Sequence, residues 1–206
     1  MKTKILALTV LVVLLNACGN KDKKGSENQA ATAEETINVP AFNADSAYAF
    51  VEKQISFGPR VPGTDAHLKC RDWLAAQLER FGAKVTVQNI QVRTYNGLII
   101  SGYNIIGSIN PEAQTRIMLS SHWDSRPYAD WDPDKANHRK PVPGANDGAS
   151  GVGVLLEIAR VMQQIKPTVG VDIFFWDVED YGEPQDAQGR TNQEAWGLGS
   201  QYWSKN

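Results

Sequence analysis

Cysteine is nearly absent from this chain: its 206 residues hold two, Cys18 and Cys70. Cys18 closes an apolar N-terminal segment, so the body keeps one thiol, and one thiol excludes any internal disulfide there. Cys70 falls in helical register with Leu74, Leu78 and Phe81, the place of a small core residue. Charge of one sign is lacking as well. The 21 Lys and Arg against 23 Asp and Glu leave a formal net charge of -2, which gives no electrostatic footprint for nucleic acid. No internal repeat is visible. Long apolar runs are missing except "ILALTVLVVLL" at the start, which is too short and wrongly flanked for a comfortable transmembrane helix. The apolar fraction of 42% and six tryptophans are those of a globular chain with a real core.

What is present begins with an export signal. A basic "MKTK", the apolar run and then "LNAC" make residues 1–18 a secretory signal. Its end resembles a bacterial lipobox, with Cys18 as the lipidated first residue of the mature chain; an ordinary cleaved signal with an incidental cysteine is the alternative. A lipid there would anchor the protein without a spanning helix, at the periplasmic face or the cell surface of a bacterial membrane. Residues 19–39 are polar and without aromatics, the composition of a tether. The body is then 40–206.

Within the body, "NADSAYAFVEKQISFG" and "TDAHLKCRDWLAAQLERFGA" have helical spacing, the second capped by Thr64 and stopped at Gly82. "KVTVQNIQVRT" and "LIISGYNIIGSI" alternate like a hairpin around Asn96-Gly97. "TRIMLSSH" and "TVGVDIFFWDVED" read as more deeply buried strands, separated by a polar loop and a helix beginning near Ser150. Strands alternating with helices predict an α/β fold, and the early hairpin predicts a mixed sheet.

Sites in open α/β sheets gather beyond the carboxyl ends of the strands. Three clusters fall there: His122 and Asp124, two apart and so on one side of a strand; Asp147 within "GANDGASG"; and Glu179-Asp180. Each has an ordinary explanation. A histidine near a strand end is commonly a satisfied polar residue, Asp147 would serve as a helix N-cap, and two acids suit any loop. Together, imidazole and carboxylates are a zinc donor set, and an acid outside that set can act as a base beside the metal. Gly144, Ala145, Gly148 and Ala149 leave room around Asp147, and the following helix favours its ionised form.

The ordered set "FGPRVPGT", "SSHWDSRP", "GANDGASGVGVLLEIAR", "FFWDVEDYGEPQD" and "WGLGSQYW" resembles bacterial glutaminyl-peptide cyclotransferases (glutaminyl cyclases), members of the zinc aminopeptidase-like family. The resemblance covers nearly all of 40–206. It implies a three-layer α/β/α, zinc exopeptidase-like fold with a mixed, mostly parallel sheet, incomplete at the C-terminus. It implies a zinc-assisted conversion of N-terminal Gln in peptides or proteins to pyroglutamate, with release of ammonia. Position by position, Asp147 matches the central zinc-binding Asp, Glu179 the general acid/base and Asp180 a zinc ligand, usually Glu in relatives. His122 and Asp124 match the zinc-binding His and its orienting Asp in the aminopeptidases; in cyclases with one zinc that His need not bind metal. Tyr181, Trp196 and Trp123 are candidates to wall an aromatic pocket, with core packing the alternative for the tryptophans. The family also has a later zinc-binding His and a substrate-side Asp that nothing here matches, neither His67 nor His138. With Asp147 and Asp180 alone zinc is held poorly, so weak metal binding and little activity are expected of 1–206. Two rivals stand: a two-zinc aminopeptidase, and a surface lipoprotein that binds peptide or glycan without turnover.

Overall fold

The polar cap that should begin the first helix does so. In the computed structural model, which describes residues 39–187 and 192–206, the Asn43 side chain accepts from the Ser46 amide at 3.0 Å and helix α1 runs Ala44–Ser56. Thr64 caps α2 (Asp65–Arg80) in the same way, and Gly82 ends it at φ 85°. The signal, the tether and Cys18 lie outside the described residues.

Strands β1 (Lys84–Arg93) and β2 (Ile99–Ile109) pair antiparallel around Thr94–Leu98. The left-handed residue of that turn is Gly97, at φ 84°, so the hairpin is a longer one with the glycine placed where the strands rejoin. β3 (Arg116–His122) and β4 (Gly170–Trp176) complete a sheet of order β1-β2-β4-β3, with α3 (Ser150–Met162) as the crossover between them and α4 (Leu198–Lys205) last.

The sheet is mixed, as expected, but its parallel share is smaller: β2 runs antiparallel to both β1 and β4, and β3–β4 is the parallel pair. Helices cover both faces. Odd-numbered residues of β2 and β4, including Ile105, Ile173 and Phe175, meet Cys70, Leu74 and Leu78 of α2 and Val152, Leu155 and Leu156 of α3. Each such large apolar side chain contributes roughly 1.5–3 kcal/mol on burial. On the other face Phe174 and Trp176 pack against Trp203 of α4.

One expectation needs correction. β3 is less buried than its apolar sequence predicts, with Ile117 at 47% and Met118 at 54% exposure. Among the described strands it is an edge, with β4 as its one neighbour. An apolar run reports what a strand can bury, and its place in the sheet decides how much it does. Among the described residues no helix is long and apolar enough to cross a membrane.

Candidate active site

Parallel pairing sets the site. His122 and Trp176, the last residues of β3 and β4, are register partners, and the Trp123 amide donates to Trp176 O at 3.0 Å. The two chains therefore leave the sheet side by side. One carries His122, Asp124 and Arg126; the other carries Asp177 to Asp180.

Asp124 joins them. It is fully buried, and its two oxygens accept the Glu179 and Asp180 amides at 3.1 Å each. Its Oδ1 also lies 3.4 Å from His122 Nδ1. The other imidazole nitrogen, Nε2, meets Asp147 Oδ1 at 2.9 Å, and Glu179 Oε2 stands 3.8 Å from Nδ1. Three of the five residues singled out by sequence, Asp124, Asp147 and Glu179, thus converge on the imidazole of a fourth.

Asp147 does not cap α3, whose first residue is Ser150 and whose N-terminus has no side-chain cap. It sits in an irregular turn, Ala145–Ala149, with extended backbone (φ -90°, ψ 105°), and its side chain is 70% exposed. The glycine after it is needed. At φ 90°, a Cβ on Gly148 would lie 2.8 Å from Asp124 O and 3.1 Å from the His122 ring. Small residues let this loop press against the imidazole.

The approach to Glu179 is strained. Val178 adopts φ 53°, a left-handed conformation that a β-branched residue rarely takes. Its amide donates to Asp177 Oδ1 at 2.8 Å, and the amides of Gly197, Leu198 and Gly199 donate to the carbonyls of Glu179, Val178 and Asp177. The start of α4 therefore holds the bend that aims Glu179.

Asp180 is buried against Arg126, whose Nη1 reaches its Oδ1 at 3.2 Å. The same guanidinium holds Asp130 at 2.8 and 2.6 Å and lies 4.8 Å from the Trp196 ring centre. Asp147 and Asp180 line one cavity of about 310 Å³, together with Arg126, Tyr128, Trp131 and Asp132.

Burial dominates the acids. It pushes Asp180 up to about 7, although Arg126 opposes it, and it raises Glu179 as well. Burial would lower His122, but the adjacent Asp124 carboxylate, with Glu179 and Asp147, outweighs it and raises the imidazole to about 9. The result is a proton-holding cluster beside an exposed carboxylate. Imidazole nitrogen and carboxylate oxygen suit zinc, and His122, Asp147 and Asp180 present that chemistry on two walls of the site. Among the described residues no three His, Cys, Asp or Glu side chains stand close enough to close a metal site.

The aromatic candidates separate. Trp123 walls no pocket: it is fully buried in the core, stacked on His67 at 4.4 Å, with its indole N–H on Tyr103 O. It directly follows the last β3 residue and points into the core between two neighbours, His122 and Asp124, that face the site. Tyr181 packs partly buried beside Ile90, Val92 and Leu198, and Trp196 is half-buried under Arg126. Sequence reasoning missed the pair beneath the site, in which His67 Nε2 lies 2.8 and 3.0 Å from the two oxygens of buried Asp177. The signal was an Asp directly after the apolar run Ile173–Trp176, a costly place for an unpaired charge.

Residues 104–206 match the model of peptidase family M28. The chain belongs to that family. In structure it is similar to the Bacteroides thetaiotaomicron glutaminyl cyclase bound to N-acetylhistamine, with 57% identity, 82% of this chain and 58% of that chain covered, and a TM-score of 0.81. A Zn-dependent exopeptidase from Parabacteroides distasonis matches at 54% identity over 82% of this chain and 57% of its own, with a TM-score of 0.80. The Bos taurus glutaminyl-peptide cyclotransferase is 26% identical over 145 residues, 62% of this chain and 38% of that protein. The chain thus spans a little over half the length of these solved structures and less of the curated relative.

Proposed function

We propose that the protein is a glutaminyl-peptide cyclotransferase, turning N-terminal Gln of peptides into pyroglutamate with release of ammonia. The observation that carries this is its 57% identity to a glutaminyl cyclase across 82% of its length. The geometry is compatible with that chemistry. Glu179 is part-exposed, faces His122 and has a pKa raised by burial, the state of a group that both accepts and returns a proton.

Zinc is the metal that the exopeptidase relative's name carries, and we extend it to this chain. Asp147 and Asp180 would hold it, with His122 beside them, and bound zinc would supply a Lewis acid for the side-chain amide carbonyl. We read one zinc with the cyclase reading, and two under the aminopeptidase alternative. The protein residues do the rest. Glu179 takes a proton from the substrate's α-amine and delivers it to departing ammonia. Asp124 holds the Glu179 and Asp180 amides so that neither carboxylate drifts. The cavity seats the leading residues of the peptide, and attack by its own amine makes positioning a large part of the rate.

Mass spectrometry of a Gln-initiated peptide incubated with zinc-supplemented protein is the test. Loss of ammonia supports the cyclase. Removal of the first residue supports the second reading, a two-zinc aminopeptidase, which the His122–Asp124 pairing and the exopeptidase relative favour. An unchanged peptide leaves a non-catalytic binding protein. Glu179→Gln is expected to lower turnover by on the order of 10²- to 10⁴-fold with the fold intact. We also propose export and lipidation at Cys18; a mature chain that takes up no radiolabelled fatty acid rules this out.

A further inference from the structure

The "FGPRVPGT" turn between α1 and α2 has no part in the chemistry above, yet it sends one side chain beneath the site. Arg60 is fully buried. Its Nε donates to Trp123 O at 2.9 Å, its Nη1 to Pro143 O at 2.8 Å and its Nη2 to Gly144 O at 2.7 Å. In return the Ser125 amide donates to Arg60 O at 3.2 Å. Burial works against the charge and holds the guanidinium below its ordinary pKa.

A charge at this depth is a poor way to fill space, since apolar residues of similar volume often serve a fold as well or better. A guanidinium does what they cannot. Its planar fork fixes several acceptors at set distances and angles at once. The acceptors here belong to two of the three segments that carry the site. Trp123 stands between His122 and Asp124, while Pro143 and Gly144 lead directly into the turn bearing Asp147. That turn is pressed onto the guanidinium: Gly144 sits at φ 65°, and a Cβ there would lie 2.7 Å from Arg60 Nη2.

We propose that Arg60 is a positioning residue whose guanidinium pins the His122–Asp124 strand end to the Asp147 loop and so sets the approach of His122 to Asp147. Its consequence for metal binding rests on the zinc reading above; the pinning does not. Two claims follow from one geometry. Without the fork the two segments keep their own local structure but lose their mutual register, so their amides open while the sheet stays closed. A metal held by Asp147, with His122 beside it, is then bound more weakly.

The test compares the full chain with Arg60→Lys, which keeps the charge but not the fork, and Arg60→Met, which keeps the volume but not the charge. Hydrogen exchange is read at the Trp123, Ser125 and Ala149 amides, with the amides of β2 and β4 as internal reference, and zinc affinity is read by chelator competition. Expected in both variants is exchange faster by about tenfold or more at the three loop amides, with the β2 and β4 amides unchanged. Zinc affinity should fall about 10- to 100-fold, the usual effect of losing a residue that orients ligands. Unchanged loop amides overturn the proposal. So does faster exchange that includes β2 and β4 equally, or failure of both variants to fold, since Arg60 would then be an ordinary core residue. If the unsubstituted chain binds no zinc, the metal reading falls while the exchange result still decides the pinning.

Discussion

Asp180 and Gly148 show how far one residue's surroundings control this site. Burial raises the Asp180 carboxyl from 3.8 to about 7, so the folded chain binds its proton more tightly than the unfolded chain does. Stability of the metal-free protein therefore falls as pH rises through that window. Asp180→Asn, which cannot ionise, is predicted to stabilise the metal-free chain by on the order of 2 kcal/mol at about pH 8 and by little at about pH 4. Urea melts at both pH values check this, and an equal effect at both would contradict it. Gly148→Ala should act in the opposite direction. A Cβ at φ 90° meets Asp124 O at 2.8 Å, and roughly 2 kcal/mol or more of stability should be lost, measurable in the same melts.

At the level of elements, the site depends on contacts made well away from it. α1 and α3 pack so closely that a Cβ on Gly153 would reach 2.7 Å from Ala47 O. Glu157 of α3 ties the two together, accepting the Asn43 amide at 2.9 Å and Arg160 at 2.6 and 2.7 Å. The Arg160 hydrogen bonds hold its carboxyl at about 2, below the ordinary 4.5. The stabilisation is thus fully present above the ordinary value and lost as pH falls toward about 2. Glu157→Gln should cost about 2 kcal/mol near neutral pH, with the difference shrinking on acidification. Thermal denaturation across pH reads it; a difference that persists unchanged at low pH would show that the charge is not the cause. Because α3 begins at the Asp147 loop, loosening α1 from α3 also loosens one wall of the site.

For the molecule as a whole, metal and fold should be linked. The β3 end, the β4 end and the loop before α3, which carry His122, Asp180 and Asp147, come together in the folded chain, so on the zinc reading proposed above the metal should bind the native state and stabilise it. At about a hundredfold excess over the dissociation constant the gain is ~2.7 kcal/mol. A melting temperature that rises with zinc and returns with a chelator is the expected outcome. No shift at saturating zinc would mean that His122, Asp147 and Asp180 do not act as a donor set.

Much of this architecture can be read from local chemistry. Caps at Asn43 and Thr64, the stop at Gly82, the Asn96-Gly97 hairpin and the buried β4 strand all follow from backbone preference and apolar period, which act over a few residues. The same local logic put His122, Asp124, Asp147, Glu179 and Asp180 at strand ends or before a helix. What those rules do not reach is pairing across the chain. Which acids meet His122, why Trp123 turns inward, that β3 lies at an edge, and that Arg60, His67 and Asp177 form the floor of the site depend on contacts between segments distant in sequence. Such contacts exist once parallel β3–β4 pairing brings two loop exits together, and no short stretch of residues encodes them.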